Sequence, residues 1–489
     1  MCKNLWGIVA AIFLLGALAL LPATAPAVDR AYLAAMSRGA MAEDHLERTS
    51  AVEAYRVAAW WHPFDPQPYL RMARLYMEWG RETEALDALA QAEQRDADAI
   101  TLAWLRWQAY TARADWPAAI EQGERWLDLY VQADDTARVM MDAAQLRRGL
   151  GQAYLQVGEW EAARSVYEEM LADALSPTME SLAHERLGLM GVGERDDAIY
   201  HLFAAHTELA GQVLTVLQSP GVADDPAYAA ALIGRTLWAA EEWALAAHHF
   251  ERALSIGGSD VELYAYLGYA WGRMGCPGCT EKAQVYLERA VQEAPDSAVA
   301  HTLLGLYYDR QGRNADARAA YEQAYDLDPT NPALCVEIGQ TWAVEGRYVA
   351  AEIWLREAVA LRPDDLQLWE TLARFYLENN LSITDRGIEA VERLLELSPD
   401  TAVAHDLRAW AALEMGDYVT AQAHLNRALL LDPMQPSIHY HLGWFWQMQG
   451  QTSKAEEAFR RAVDLDTTGT VTARVARMFP VGRQWLPND

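Results

Sequence analysis

Ala298 to Asn331 reads AVAHTLLGLYYDRQGRNADARAAYEQAYDLDPTN, and the order of its small and bulky residues decides the fold. Leu304 and Gly305 are followed by Tyr308, then by Gly312, Ala317, Tyr321, Ala324 and Pro329. Pro332 to Asp365 repeats that order as Ile338, Gly339, Trp342, Gly346, Ala351, Leu355, Ala358 and Pro363. It returns in Ala402–Gln435 and again in Pro436–Gly469, where Leu442, Gly443, Trp446, Gly450, Ala455, Phe459 and Ala462 hold the same places. Self-similarity at a fixed period marks a stack of short structural units, each unable to bury its apolar face alone. Here each unit reads as two helices. Small residues such as Gly305 and Ala317 let the pair approach closely, and bulky ones such as Tyr308 and Tyr321 fill the groove to the next pair. The closing proline stops the second helix.

Working outward, the frame recovers Val261–Ser297 with three extra residues between its helices, then Ala227–Asp260, Ala144–Pro177 and Pro66–Ala99, with half a unit before that. Three stretches depart from it. Around Ile100–Ala133, Trp107 stands where a small residue belongs and Gly123 where a bulky one does, which predicts a distorted helix pair. Leu366–Thr401 carries two extra residues near Ser382–Arg386, an enlarged turn. In Thr178–Pro226, Leu187 and Gly188 open a recognisable first helix, but Ile199–Gln218 reads as one long amphipathic helix broken by Ser219, Pro220 and Gly221. That stretch is either a hinge or an eroded repeat.

These landmarks resemble the tetratricopeptide repeat family over nearly the whole chain. The resemblance implies an all-α, right-handed α-solenoid of about eleven helix pairs, some degenerate, with Val471–Phe479 as a capping helix. It orders the chain as an export segment (1–27), an N-terminal array (28–177), the degenerate repeat or hinge (178–226), a C-terminal array (227–469), and a cap and tail (470–489). The family binds peptides or protein segments on its concave side. The matching positions here are Arg74, Arg148, Arg235, Trp238, Tyr269, Arg273, Arg310, Arg374, Trp410, Tyr440 and Trp444. Arg, Trp and Tyr dominate interface hot spots because they offer large contact area or forked hydrogen bonds at limited entropic cost. The competing reading is that the arginines pair with acidic neighbours and the rings merely pack.

The 52% apolar content excludes a disordered chain, and a net charge of −29 argues against nucleic acid or an anionic membrane surface as partner. Lys3, the unbroken apolar or glycine run Leu5–Leu21, and Pro22 to Ala27 have the order of a secretory signal, cut after Ala27, or of an uncleaved anchor. Either sends the body of the protein out of the cytoplasm. Cys276-Pro277-Gly278-Cys279 lies in the enlarged turn of one repeat, where a Pro-Gly turn brings two thiols within reach of a disulfide. Cys335 reads as a buried free thiol. His248-His249 and His439 with His441 diverge on their helices and cannot chelate alone. No phosphate loop, nucleophile elbow or zinc-protease helix appears. The sequence therefore predicts a non-catalytic interaction scaffold with no cofactor or metal, exported or tethered, holding a protein or peptide. Two alternatives stay open: a carbohydrate-associated role in which Trp410, Tyr440 and Trp444 stack on sugars, and self-association through an uncapped end.

Overall fold

The computed structural model describes residues 27–132, 143–173, 176–191, 195–222, 224–258, 260–274, 276 and 278–478; the apolar run Leu5–Leu21 and the tail Gln484–Asp489 lie outside them. The described residues form helices joined by short turns, with no strand among them, so the chain is an all-α solenoid of paired helices.

One repeat explains the rest. Helix Ala298–Arg310 starts at Ser297, whose hydroxyl accepts from the Ala300 N–H at 3.2 Å. It ends before Gly312, whose φ of 69° lies in the left-handed region that glycine enters without Cβ strain. Helix Asn314–Leu327 then returns antiparallel. A methyl group on Gly305 would stand 2.5 Å from the Tyr321 ring, so the missing side chain is what lets the two helices touch. Gly346, Gly416 and Gly450 repeat the turn at φ near 70°. Ala114, Glu241 and Asn380 take the same backbone without being glycine.

The chain divides into two compact units. The first joins residues 1–112 to 401–489, and the second is 113–400. The division at residue 112 falls inside the repeat that carries Trp107, so helix Ala99–Ala112 belongs to the first unit and helix Trp116–Gln132 to the second.

In the first unit, the N-terminal helices share one core with the last repeat. Tyr55, Leu75, Trp79 and Leu89 are buried with Phe459, Val463 and Val475. Three polar links fasten the seam. The Thr49 N–H donates to Asp464 Oδ1 at 2.9 Å, Arg48 Nη1 donates to the Asp464 carbonyl at 2.6 Å, and Trp79 Nε1 donates to the Val463 carbonyl at 3.0 Å. The tail helix Thr470–Met478 packs against the last pair through buried Val475, and helices Arg48–Trp61 and Gln67–Glu78 share that covering role with it.

Asp464 is only 2% exposed, and burial pushes its carboxyl from 3.8 up to about 6. A folded value above the unfolded one means the native state holds the proton more tightly. The resulting stabilisation is complete below about 3.8 and is lost as pH rises through about 6. Asp464→Asn, which keeps the acceptor for Thr49, is therefore expected to raise stability at pH 7.5 by on the order of 2 kcal/mol and to flatten the urea midpoint between pH 4 and 7. A wild-type pH profile retained in the variant would contradict this.

The second unit runs from helix Trp116–Gln132 to helix Ile388–Leu397. Two departures from the repeat take the expected form. Ser382, at φ 40°, opens a π-helical turn Ile383–Gly387 that absorbs the two extra residues. Cys276 and Cys279 are joined as a disulfide with Cα atoms 5.3 Å apart, across Gly278 at φ 76°. Cys335 is a buried free thiol, pushed up to about 11 by burial.

A third departure corrects the sequence reading. Residues 199–218 are not one helix: Arg195–Ala205 ends at His206, which takes a φ of 55°, and Glu208–Gln218 begins anew with the Thr207 hydroxyl accepting from the Ala210 N–H at 3.3 Å. Thr207 is a helix N-cap, and its competing side-chain bond favours a fresh start over continuation. This repeat carries three helices instead of two.

Candidate binding surface

The densest grouping of expected groove residues lies in the second unit. Asp225 caps helix Pro226–Ala239 by accepting from the Ala227 and Tyr228 N–H groups, both at 3.0 Å, with Pro226 in the first turn. Along that helix Arg235 and Trp238 are three residues apart and share a face. Glu241, at φ 59°, turns the chain into helix Trp243–Ser255, which presents Trp243 at its start. Helix Glu262–Arg273 then brings Tyr266, Tyr269 and Arg273 onto one stripe.

The rings meet. Trp238 lies 5.6 Å from Trp243, 5.5 Å from Tyr266 and 5.9 Å from Tyr269, centroid to centroid, and Trp243 lies 5.7 Å from Tyr269. Edge-on and tilted contacts of this length are the favoured aromatic geometry. The Arg273 guanidinium sits 4.8 Å above Trp243, and Arg235 sits 5.4 Å from Tyr266. All six side chains are half-buried, and burial holds the Tyr266 hydroxyl above its ordinary value. The Trp238 indole N–H is buried and has no hydrogen-bond acceptor among the described residues. The two arginines differ. Arg235 is paired with Asp260 at 2.5 Å and lies 4.0 Å from Glu262, as the packing reading expects, whereas Arg273 has no carboxylate partner among the described residues.

The other expected positions are dispersed. Arg148 and Arg310 are exposed in the second unit, and Arg374 bonds Glu370 at 2.9 Å within its own helix. Arg74 is exposed in the first unit. Tyr440 and Trp444 are half-buried there, Tyr440 at 5.9 Å from Phe459. Trp410 corrects the sequence reading, because it is 7% exposed, lies 4.9 Å from the His441 ring and has Arg474 5.5 Å from its own. Its faces are occupied by protein and are not offered to a sugar. Sequence reasoning missed Trp243 and Tyr266. Trp243 follows Trp238 across one turn, and Tyr266 precedes Tyr269 by three residues, a spacing that puts both on one face.

Among the described residues no cluster of three or more His, Cys, Asp or Glu side chains is placed to hold a metal, and no helix is long and apolar enough to cross a membrane.

Residues 308–375, and separately 280–332 and 407–469, match tetratricopeptide repeat families. Superkiller protein 3 of Schizosaccharomyces pombe is 25% identical over 39% of this chain and 15% of its own length. The human protein O-mannosyl-transferase TMTC1 is 25% identical over 38% of this chain and 21% of its own. The type IV pilus assembly protein PilF of Pseudomonas aeruginosa is 25% identical over 35% of this chain and 66% of its own. The chain thus spans less than a quarter of the length of the first two relatives. A tetratricopeptide repeat protein from Parabacteroides merdae superposes with a TM-score of 0.41 at 13% identity, covering 52% of this chain and 98% of that one. Yeast Tom70 gives a TM-score of 0.37 at 14% identity, covering 92% and 96%. With glycine-to-ring contacts inside its helix pairs and repeat matches in both units, the chain carries tetratricopeptide repeats.

Proposed function

We propose that the protein is a non-catalytic scaffold that holds a protein or peptide segment against the surface formed by Arg235, Trp238, Trp243, Tyr266, Tyr269 and Arg273. The observation that carries this reading is the convergence of four expected groove residues, with two further rings, on one half-buried face whose Arg273 has no carboxylate partner among the described residues. Such a face suits a segment that lays an apolar side chain on the rings and brings a carboxylate to Arg273. Holding protein partners is the general role of tetratricopeptide repeats. We further propose that the body of the protein works outside the cytoplasm, exported or anchored through residues 5–21. The Cys276–Cys279 pairing supports that placement, since disulfides persist in oxidising compartments.

A photo-crosslinking residue at the exposed position 239, beside Trp238, in the native host is expected to trap a partner, which is then purified and titrated against the full chain. Trp238→Ala and Arg273→Ala should each weaken that complex about thirtyfold, the loss typical of a hot spot, with the helical circular dichroism spectrum unchanged. Equal affinity for wild type and both variants would remove this surface from the function.

A further inference from the structure

The three-helix repeat leaves a cavity that the regular repeats do not need. Because helix Glu208–Gln218 is inserted ahead of helix Pro226–Ala239, five helices of the second unit surround a space of about 220 Å³. Its wall is apolar, with Leu202, Val213, Leu217 and Ile233 facing one another across it, and small residues such as Ala230 keep it open. Two basic residues of helix Trp243–Ser255 complete the lining, His249 and Arg252. They are unlike in charge. His249 is 2% exposed, its Nε2–H donates to the Leu189 carbonyl at 2.7 Å, and burial pushes it down to about 3, so it is neutral. Arg252 is exposed and has no carboxylate partner among the described residues, in a chain whose net charge is −29. A guanidinium with no carboxylate partner among the described residues, at the edge of an apolar cavity, is a complementary arrangement for a molecule with an apolar body and one negative end.

We propose that this cavity binds a small amphipathic monoanion, an alkyl or aryl carboxylate of roughly six to eight carbons, with its chain among Leu202, Val213, Leu217 and Ile233 and its carboxylate on Arg252. The size follows from comparison with voids of about 150 Å³ lined by aliphatic side chains, which stay dry and take up benzene. The site is separate from the aromatic surface formed by Trp238 and Arg273, so either assignment stands or fails alone.

Titration calorimetry of the full chain with sodium octanoate tests it, with hexanoate and 1-octanol as comparison ligands. Saturable binding of one octanoate per chain is expected, roughly tenfold weaker for hexanoate, which buries two fewer methylenes. Arg252→Gln should weaken octanoate about tenfold and leave octanol unchanged. Ala230→Leu, which fills the space from a 3% exposed position, should abolish binding of both. Because Arg252 is exposed, its variant keeps the fold, and together with the chain-length comparison it decides the matter even where Ala230→Leu fails to fold. Absence of saturable heat with octanoate, or equal octanoate affinity in wild type and Arg252→Gln, would overturn the proposal.

Discussion

Trp79→Ala is expected to lower the stability of the first unit by about 3–5 kcal/mol, the usual cost of truncating a fully packed tryptophan. The ring is 2% exposed and sits in the core that Tyr55 and Leu75 share with Phe459 and Val463. Arg81 covers one side with its guanidinium 4.7 Å from the ring centroid, and the indole N–H reaches the Val463 carbonyl. Truncation would open a void at the seam and remove its donor in one step. Trp79→Phe separates the two, because it keeps most of the apolar volume and loses the hydrogen bond, about 0.5–1.5 kcal/mol. Urea denaturation of the full chain, followed by circular dichroism, should show a first transition moved to lower urea in both variants, further for alanine. Coincidence of the Trp79→Ala curve with wild type would mean that the seam carries no stability.

Asp406→Ala should cost about 1–3 kcal/mol, because it strands a buried polar partner. Asp406 and His441 are 4% and 1% exposed, and His441 Nδ1 lies 2.8 Å from Asp406 Oδ1, linking helix Ala402–Glu414 to helix Pro436–Met448. Nε2 of His441 already lacks a partner among the described residues, so removal of the carboxylate leaves both ring nitrogens without one there. Asp406→Asn retains an acceptor oxygen and should cost less than alanine. Thermal unfolding of the three proteins orders them wild type, asparagine, alanine. An alanine variant that melts with wild type would show the pair to be dispensable.

How far the sequence could be read depended on how local each determinant is. The close approach of the two helices at Gly305 was legible because one repeat contains both, although the sequence reading aimed Tyr321 at the next pair and the structure lays its ring on Gly305. The same locality made Arg235, Trp238, Tyr269 and Arg273 legible as neighbours, since two adjacent repeats suffice to place them. The helix break at His206 was hidden because Leu202, Ala205, Ala210 and Val213 are buried on both sides of it and no glycine or proline marks the turn. Trp410 was misjudged because its burial depends on His441 and Arg474, from the next repeat and the tail helix. Nor could any repeat pattern announce the bond from Thr49 to Asp464, whose partners are 415 residues apart.

That bond sets an order on biosynthesis. Helices Arg48–Trp61 and Gln67–Glu78 leave the ribosome with apolar faces whose partners, Phe459 and Val463, are encoded after the whole of residues 113–400. At ~5–20 residues per second the nascent chain carries those faces uncovered for on the order of tens of seconds. Premature termination before helix Thr452–Leu465 therefore releases a chain whose beginning, as well as its end, is unfinished.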